Sequence, residues 1–416
     1  MHVIVIGAGI TGVATAKRLA EAGHDITLVE PTEIGGTNNA AYGNGALVSN
    51  GFMVPISSPG LWRQVPGYLV TKDAPLAVRW RDFPGRAVWG LKFLAAGATV
   101  PRQRKLATGL APLVKDAPAL HAEMIAGTAA EPLLKREPVY YLYPTEESRR
   151  ADGTWAVRKD FGISCSEKSL EDLQQSISGL PKGYVCGSTI NESGYCLDTS
   201  GYIKALLAAI PAERLTILAE RALGFVLEEG RVTHLRHSGG ETACDAVVIS
   251  AGHASGPLAA ELGDRVPLGA ERGYCIQYRT NPTGLTQPVM LADQRIAITP
   301  KLPGLRVAGQ VEIADPDAPA DWKHVEILHR RAVSVFPELE GHDADAIRWM
   351  GVRPSMTDCT PVIGRASRAS NAIHAFGHGH IGFTASARTA RIVDDLLSDR
   401  APDIPLAPFS PRRFAG

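Results

Sequence analysis

An excess of charge of either sign is missing from this sequence of 416 residues: 43 Lys and Arg balance 43 Asp and Glu, and the formal charge at pH 7 is zero. Such a chain raises no global field to draw in nucleic acid, and no nucleic-acid partner is expected. Cysteine is sparse too. Cys165, Cys186, Cys196, Cys244, Cys275 and Cys359 form no Cys-x-x-Cys pair and no zinc spacing; the expectation is no metal site, and reduced thiols in a cytoplasmic protein. The N-terminus MHVIVIGAGITG lacks the basic start and small-residue cleavage site of a signal peptide, and no run reaches the roughly 18 apolar residues of a spanning helix. Trp89 to Val100 (WGLKFLAAGATV) is apolar but interrupted by Lys92. It reads as a buried helix, or else as a membrane-surface contact helped by Arg79, Arg81, Arg86, Arg102, Arg104 and Lys105, which would hold the protein peripherally on the inner face of the cell membrane.

The composition is that of an ordinary globular protein, 45% hydrophobic and 21% charged. The length suits two or three domains. Organisation begins at once: His2 to Ile6 alternates β-branched residues, runs into Gly7-Ala8-Gly9-Ile10-Thr11-Gly12, and gives way to helical periodicity from Val13 to Ala22. Gly23 stops the helix, and Asp25 to Glu30 (DITLVE) reads as a second buried strand ending in an acid. In this strand–turn–helix–strand unit Gly7 makes the tight turn, Gly9 lets a pyrophosphate approach the backbone, and Gly12 lets helix and strand pack closely. Free N–H groups and the positive dipole end at the start of the helix suit phosphates. Glu30, 18 residues after Gly12, would accept both hydroxyls of an adenosine ribose and repel a 2′-phosphate. The motif binds a dinucleotide; by itself it does not separate FAD from NAD.

Two later segments extend the same fold. Ala243 to Gly252 (ACDAVVISAG) is an apolar strand ending in Ala251-Gly252, close to a ligand, and Asn371 to Phe376 is a strand followed by the glycine-rich Gly377-His378-Gly379-His380-Ile381-Gly382 and a helix from Phe383 to about Leu397. Strands so far apart imply a discontinuous nucleotide domain with a second domain between its pieces. In that second part, helical spacing covers Leu106 to Glu131 and His324 to Phe336. Val139 to Tyr143, Gly273 to Tyr278, Ala297 to Thr299 and Leu305 to Ile313 read as strands of an antiparallel sheet. A Pro-rich tail starts at Ala401.

These pieces resemble the glutathione-reductase-like flavoproteins of the D-amino-acid oxidase superfamily, and within it the FAD-dependent D-amino acid dehydrogenases. The resemblance rests on Gly7 to Glu30, AYGNGALVSNGF (Ala41 to Phe52), ERGYCIQY (Glu271 to Tyr278), ITP with LRVAGQVEI (Ile298 to Ile313), GVRPSMTDCTPVIG (Gly351 to Gly364) and FGHGHIGFT (Phe376 to Thr384). It implies a fold that is α/β in its Rossmann-like FAD-binding domain and α+β overall. That domain would comprise residues 1–60, 190–260 and 346–400; a substrate domain of 61–189 and 261–345 would carry a large, mainly antiparallel sheet, and 401–416 would be the tail.

The resemblance also implies roles. Arg353 would grip a substrate carboxylate with its fixed, permanently charged fork; the alternative is a surface arginine. Tyr274 would present its phenol to the same carboxylate, or be a half-buried strand tyrosine. His378 and His380 belong to the loop before the last helix, which points at the flavin pyrimidine ring in relatives, or they hydrogen-bond backbone only. The cofactor-binding set would be Gly7, Gly9, Ile10, Thr11, Gly12, Glu30, Asn44, Gly45, Val48, Ala222, Ala251, Gly252 and the run Gly379, His380, Ile381, Gly382, Phe383 and Thr384. One departure stands out: Ala40 and Ala41 replace the hydroxyl residues of relatives, and Thr37, Asn38 and Asn39 are the polar groups available instead.

The activity implied is FAD-dependent oxidation of a small amino acid, of D-configuration by the family's bias, with D-proline or D-hydroxyproline as candidates because members carrying the GHGH loop include such dehydrogenases. An α-hydride can pass straight to flavin N5 once the amine has lost its proton, so no strong base is required; orientation and charge stabilisation are the protein's task. Three other readings compete. They are a glycine- or sarcosine-type oxidase that uses oxygen, the flavin subunit of a hetero-oligomeric dehydrogenase, and a non-catalytic nucleotide-binding protein. The acceptor (quinone or oxygen) and a homo-oligomeric state stay open.

Overall fold

The computed structural model describes residues 1–71, 73–82 and 84–415. Its first strand, His2–Ile6, is flanked on one side by Asp25–Val29 and Leu215–Leu218 and on the other by Ala246–Ile249, Ala372–Phe376 and Val362–Arg365. All neighbours are parallel except Val362–Arg365, which runs against Ala372–Phe376. A strand central to such a sheet is covered on both faces, which is why HVIVI reads as a continuous apolar run. Val3 and Val5 pack with Val13 and Leu19 of the helix Ile10–Glu21 and with Val393 of the helix Gly382–Leu397. Ile4 and Ile6 point the other way, onto Phe225, Val232 and Leu235. The last three belong to an antiparallel three-stranded sheet of Ala222–Glu228, Arg231–His237 and Gly240–Ala243.

The second large sheet has nine strands. Along its main path run Ile347–Met356, Leu268–Tyr278, Leu305–Ile313, Ile296–Pro300, Val289–Leu291, Val139–Tyr143, Cys186–Ile190 and Cys165–Ser169, and Leu76–Val78 pairs beside Leu305–Ile313. Only the pairs Val289–Leu291 with Val139–Tyr143 and Leu305–Ile313 with Leu76–Val78 are parallel. One face buries Tyr274, Ile276, Tyr278 and Val307 against Val325, Leu328 and Ala332 of the helix Lys323–Val335. The opposite face turns to the segment 37–48. Trp349 donates its indole N–H to the Thr37 carbonyl at 2.7 Å, Thr299 its hydroxyl to the Gly45 carbonyl at 3.1 Å, and Arg306 a guanidinium N–H to the Asn44 carbonyl at 2.8 Å. The small sheet Leu47–Ser49, Ser193–Cys196 and Leu134–Lys135 lies in the same region of the chain path.

Three expectations change. The helical spacing over 106–131 resolves into two helices, Val100–Val114 and Ala117–Ile125, because Asp116 adopts a left-handed conformation (φ 57°) and Pro118 can only start a helix. The apolar segment at 89–100 is a helix over Ala87–Ala96, but none of its residues is buried. Trp89 lies against Gly269, whose missing side chain makes room for the indole, and Phe93 stacks on Trp89 at 5.2 Å; the helix thus covers the sheet with one edge and leaves the other apolar and exposed. The strand Ile347–Met356, placed from sequence in the nucleotide-binding segment 346–400, pairs in the nine-stranded sheet. Its alternation puts Arg353 on the face where Leu268–Tyr278 presents Glu271 and Gly273. In the C-terminal tail Phe409 is fully buried.

Candidate active site

The glycine turn is built as its residues demand. Gly7 has φ 95°, and a Cβ there would sit 2.6 Å from the Ser250 carbonyl oxygen; one on Gly12 would sit 1.8 Å from the Gly7 carbonyl oxygen. Gly9 is different. A Cβ on it would meet only the Asn39 amide, at 3.7 Å, so its missing side chain serves open space above the turn rather than internal packing. The Glu30 carboxylate accepts the Ala8 backbone N–H at 3.0 Å and, through its other oxygen, the Thr32 N–H at 3.1 Å and the Thr32 hydroxyl at 2.6 Å. Asn39 donates to the Ala8 carbonyl at 3.3 Å and accepts the Ala41 N–H at 2.9 Å; an asparagine therefore stands by the turn where Ala40 and Ala41 supply no hydroxyl.

Further along, the Asn44 side chain accepts the Ala46 N–H at 2.7 Å, and Ala46 takes φ 59°. Val48 is fully buried in the strand Leu47–Ser49. The helix Gly382–Leu397 starts after Gly379–Ile381 with no side-chain cap, so its first N–H groups and dipole end are free for an acceptor.

Arg353 is opposite Glu271 in the antiparallel pair of Ile347–Met356 with Leu268–Tyr278. Its guanidinium lies flat over Gly273, where a Cβ would come within 2.4 to 2.6 Å of three of its atoms. Among the described residues it has no hydrogen bond and no ion pair within 4.0 Å. Burial lowers its pKa, and the nearby Glu271 charge opposes that shift. Next to it a small cavity is lined by Glu271, Ser355, Cys359, His380, Ile56 and Phe93, among others. His380 is pushed down to about 4, first by burial and then by the Arg353 charge. The Cys359 thiol is pushed up to about 12, chiefly by burial, with Glu271 adding to it. Both are neutral at pH 7, so Glu271 brings the one carboxylate to the lining of this cavity, and the Arg353 guanidinium lies over Gly273 on the same face of the sheet.

Residues 2–396 match the family model described as DAO, FAD dependent oxidoreductase. The chain belongs to that family. It is 39% identical over 416 residues to a D-amino-acid oxidase of Bradyrhizobium diazoefficiens, with 99% of each chain covered, and 30% identical over 431 residues to D-amino acid dehydrogenase 2 of Ralstonia nicotianae, again with 99% of each covered. Among solved structures, glycine oxidase from Geobacillus kaustophilus superimposes with a TM-score of 0.74 at 20% identity, covering 100% of this chain and 99% of that one. This last likeness establishes the fold.

FAD is the cofactor of the family, and the residues present fit it. The open space over Gly9, the carboxylate of Glu30 at the end of the second strand and the uncapped helix start at Gly382 match a pyrophosphate, a ribose and an electron-rich ring in turn. Among the residues expected to serve the cofactor, Ile10, Thr11 and Gly12 are buried in the first turn of their helix. Ala251 and Gly252 follow the strand Ala246–Ile249, and the Ser250 hydroxyl ties that strand end to the Ile6 and Gly7 carbonyls at 2.8 and 3.2 Å. Ala222 begins the three-stranded sheet. Ile381 and Phe383 are buried in the core, and Thr384 donates its hydroxyl to the Leu47 carbonyl at 3.0 Å; only their backbone is left to serve a ligand.

In this DAO-family chain the four expected catalytic side chains are not all brought together. Arg353 and His380 come near enough for the guanidinium charge to act on the imidazole. Tyr274 does not join them: strand alternation turns it to the other face, where its hydroxyl donates to Glu312 at 2.6 Å and accepts the Asp321 N–H at 3.2 Å. His378 hydrogen-bonds the Thr389 hydroxyl at 3.0 Å inside the protein and is held at about 4 by burial. Sequence reasoning missed Glu271, Ser355 and Cys359. The first two could have been found by the period of two, since 355 shares a face with 353 and position 271 faces 353 across the pair; Cys359 comes in on a turn after the strand and carries no such signal.

Proposed function

We propose that this chain oxidises a small α-amino acid of D-configuration, with Arg353 holding the substrate carboxylate. The observation that carries the reading is the guanidinium itself: a half-buried arginine that makes no hydrogen bond or ion pair with any described residue, lying over Gly273 on the face where Glu271 lines a small cavity, is a fork awaiting an anion. The names of the two relatives support the D-series.

FAD, when bound, supplies the acceptor for the hydride that leaves the α-carbon. Gly7 to Gly12, Glu30, the 44–48 segment and the start of the helix at Gly382 would hold it. Arg353 fixes one end of the substrate and so orients its α C–H. Ile56 and Phe93 give the cavity an apolar wall. Neutral His380 adds no second positive charge beside the guanidinium and leaves a ring nitrogen available to accept a proton or a hydrogen bond. The domain division given above, with the strand Ile347–Met356 moved to the substrate sheet, is part of the same proposal, as is a cyclic substrate such as D-proline or D-hydroxyproline, which rests on the resemblance carried by the loop 377–382.

The test is anaerobic reduction of the purified yellow protein by D- and L-amino acids, both prolines and the hydroxyprolines included. Bleaching by D-enantiomers is the expected result. Bleaching by L-enantiomers alone, or by none of the panel, overturns the reading.

A peripheral membrane contact, and with it a quinone acceptor, is supported by the helix Ala87–Ala96, where Val88 and Leu91 are 65% and 68% exposed; among the described residues no helix is long and apolar enough to cross a membrane. Sedimentation with anionic vesicles tests it, and loss of that binding in Leu91→Glu is the expected outcome.

A further inference from the structure

Glu271 and Arg353 are cross-strand partners on one face of the sheet, and opposed side chains of opposite charge ordinarily pair. These two do not, among the described residues, come within 4.0 Å. Gly273 supplies the reason. Its bare Cα lets the guanidinium lie along the neighbouring strand, two residues from Glu271, instead of reaching across to it.

Glu271 is left with its carboxylate on the cavity, 7% exposed and without a hydrogen bond from any described residue. Ser355, 3% exposed, sits on the same wall, and its buried hydroxyl oxygen has no partner either. A buried hydroxyl left unsatisfied costs free energy unless a ligand completes it. The surrounding groups give Glu271 no cation of its own: Cys359 and His380 are neutral, and Ile56 and Phe93 are apolar.

We propose that Glu271 is the ammonium-binding residue of the substrate site, so that Arg353 and Glu271 together read the zwitterion of an α-amino acid. This rests on the reading of Arg353 as the carboxylate anchor. Two opposite charges on adjacent strands, each kept from the other and each lacking a protein partner, form the complement of a molecule that carries a carboxylate and an ammonium on one carbon. Ser355 can accept a further N–H of the same group. The pair also sets specificity: a 2-hydroxy acid offers Arg353 the same anchor and is open to the same loss of an α-hydride, but brings no positive charge to Glu271, and the site discriminates against it.

The test compares two ligands in Glu271→Gln, with FAD content and thermal unfolding as the check on folding. The first is the amino acid that bleaches the protein fastest in the panel above. The second is the carboxylic acid of the same carbon skeleton with hydrogen in place of the amine, used as an inhibitor. Losing one charge-assisted contact raises KM for the amino acid by about 10- to 100-fold, while inhibition by the amine-free acid stays the same or tightens, because a like charge has gone. An unchanged KM overturns the proposal, and so does equal weakening of both ligands, which would mark a structural role. In Arg353→Ala both ligands weaken. Should that variant bind the amine-free acid as the parent does, the carboxylate reading falls and the assignment of Glu271 falls with it.

Discussion

Glu30 reaches back from the end of the second strand to the turn after the first, its carboxylate accepting the Ala8 N–H at 3.0 Å. One side chain therefore stiffens the glycine turn and, in the function proposed above, also holds the adenosine ribose. Glu30→Arg removes the acceptor and places a cation where ribose hydroxyls need one. The expected outcome is protein purified with most of its FAD lost, read as the flavin-to-protein absorbance ratio. Full cofactor content would show that the turn holds its ligand without the acid.

Arg353 is the second point of attack. Arg353→Ala is expected to raise KM by about 100-fold, the worth of a two-pronged ionic contact of about 3 kcal/mol, while FAD content is retained because no cofactor-turn residue is touched. Steady-state kinetics over a wide concentration range measures it. A parental KM for every accepted amino acid would remove Arg353 from the site.

Tyr274 gives the opposite expectation. Its hydroxyl bridges Glu312 and the Asp321 N–H on the helix-covered face, with Arg272 completing the cluster at 3.3 Å from Glu312. Tyr274→Phe leaves a buried carboxylate short of a donor and is expected to cost about 1–3 kcal/mol of stability with KM unchanged. Thermal unfolding beside kinetics separates the two effects, and a tenfold rise in KM would return the phenol to the substrate.

Acid should loosen the fold through its histidines. Burial is the main cause that holds His121, His378 and His380 at about 4, against 6.5 for a free imidazole. Because the folded values are the lower ones, the unfolded chain takes up protons first as pH falls. The stability these residues contribute is complete above about pH 6.5 and drains away between 6.5 and about 4. Denaturant unfolding of the FAD-bound protein from pH 7.5 to 4.5 should show the decline, and His121→Asn should flatten its slope by up to one proton. A slope identical to the parent's would mean that His121 titrates normally.

Much of this was legible in the residues because local rules and the fold agreed. The first 30 residues carry turn, helix and acid in register, and strands such as Val139–Tyr143 and Leu305–Ile313 fall where their alternation predicts. What escaped was set by neighbours distant in sequence. The direction of Tyr274 depends on which face of its strand meets the helix Lys323–Val335. The exposure of the helix Ala87–Ala96 depends on Trp89 finding Gly269 and Phe93 the cavity beside Glu271, while Val88 and Leu91 meet solvent. Glu271 becomes conspicuous only once Arg353 is known to stand across from it and to ignore it.

Trp349 is wedged where side chains on Gly43 or Gly351 would collide with its ring, and its indole N–H is bound to the Thr37 carbonyl. It lies four residues before Arg353 on a single straight strand, a span of about 13 Å. That stretch works as a caliper, with one jaw on the segment 37–43 and the other on the arginine proposed above to hold the substrate. Any slip of the strand would have to drag the indole out of its notch, so the spacing from the segment 37–43 to the Arg353 backbone is fixed by covalent geometry and not by the softer packing between layers.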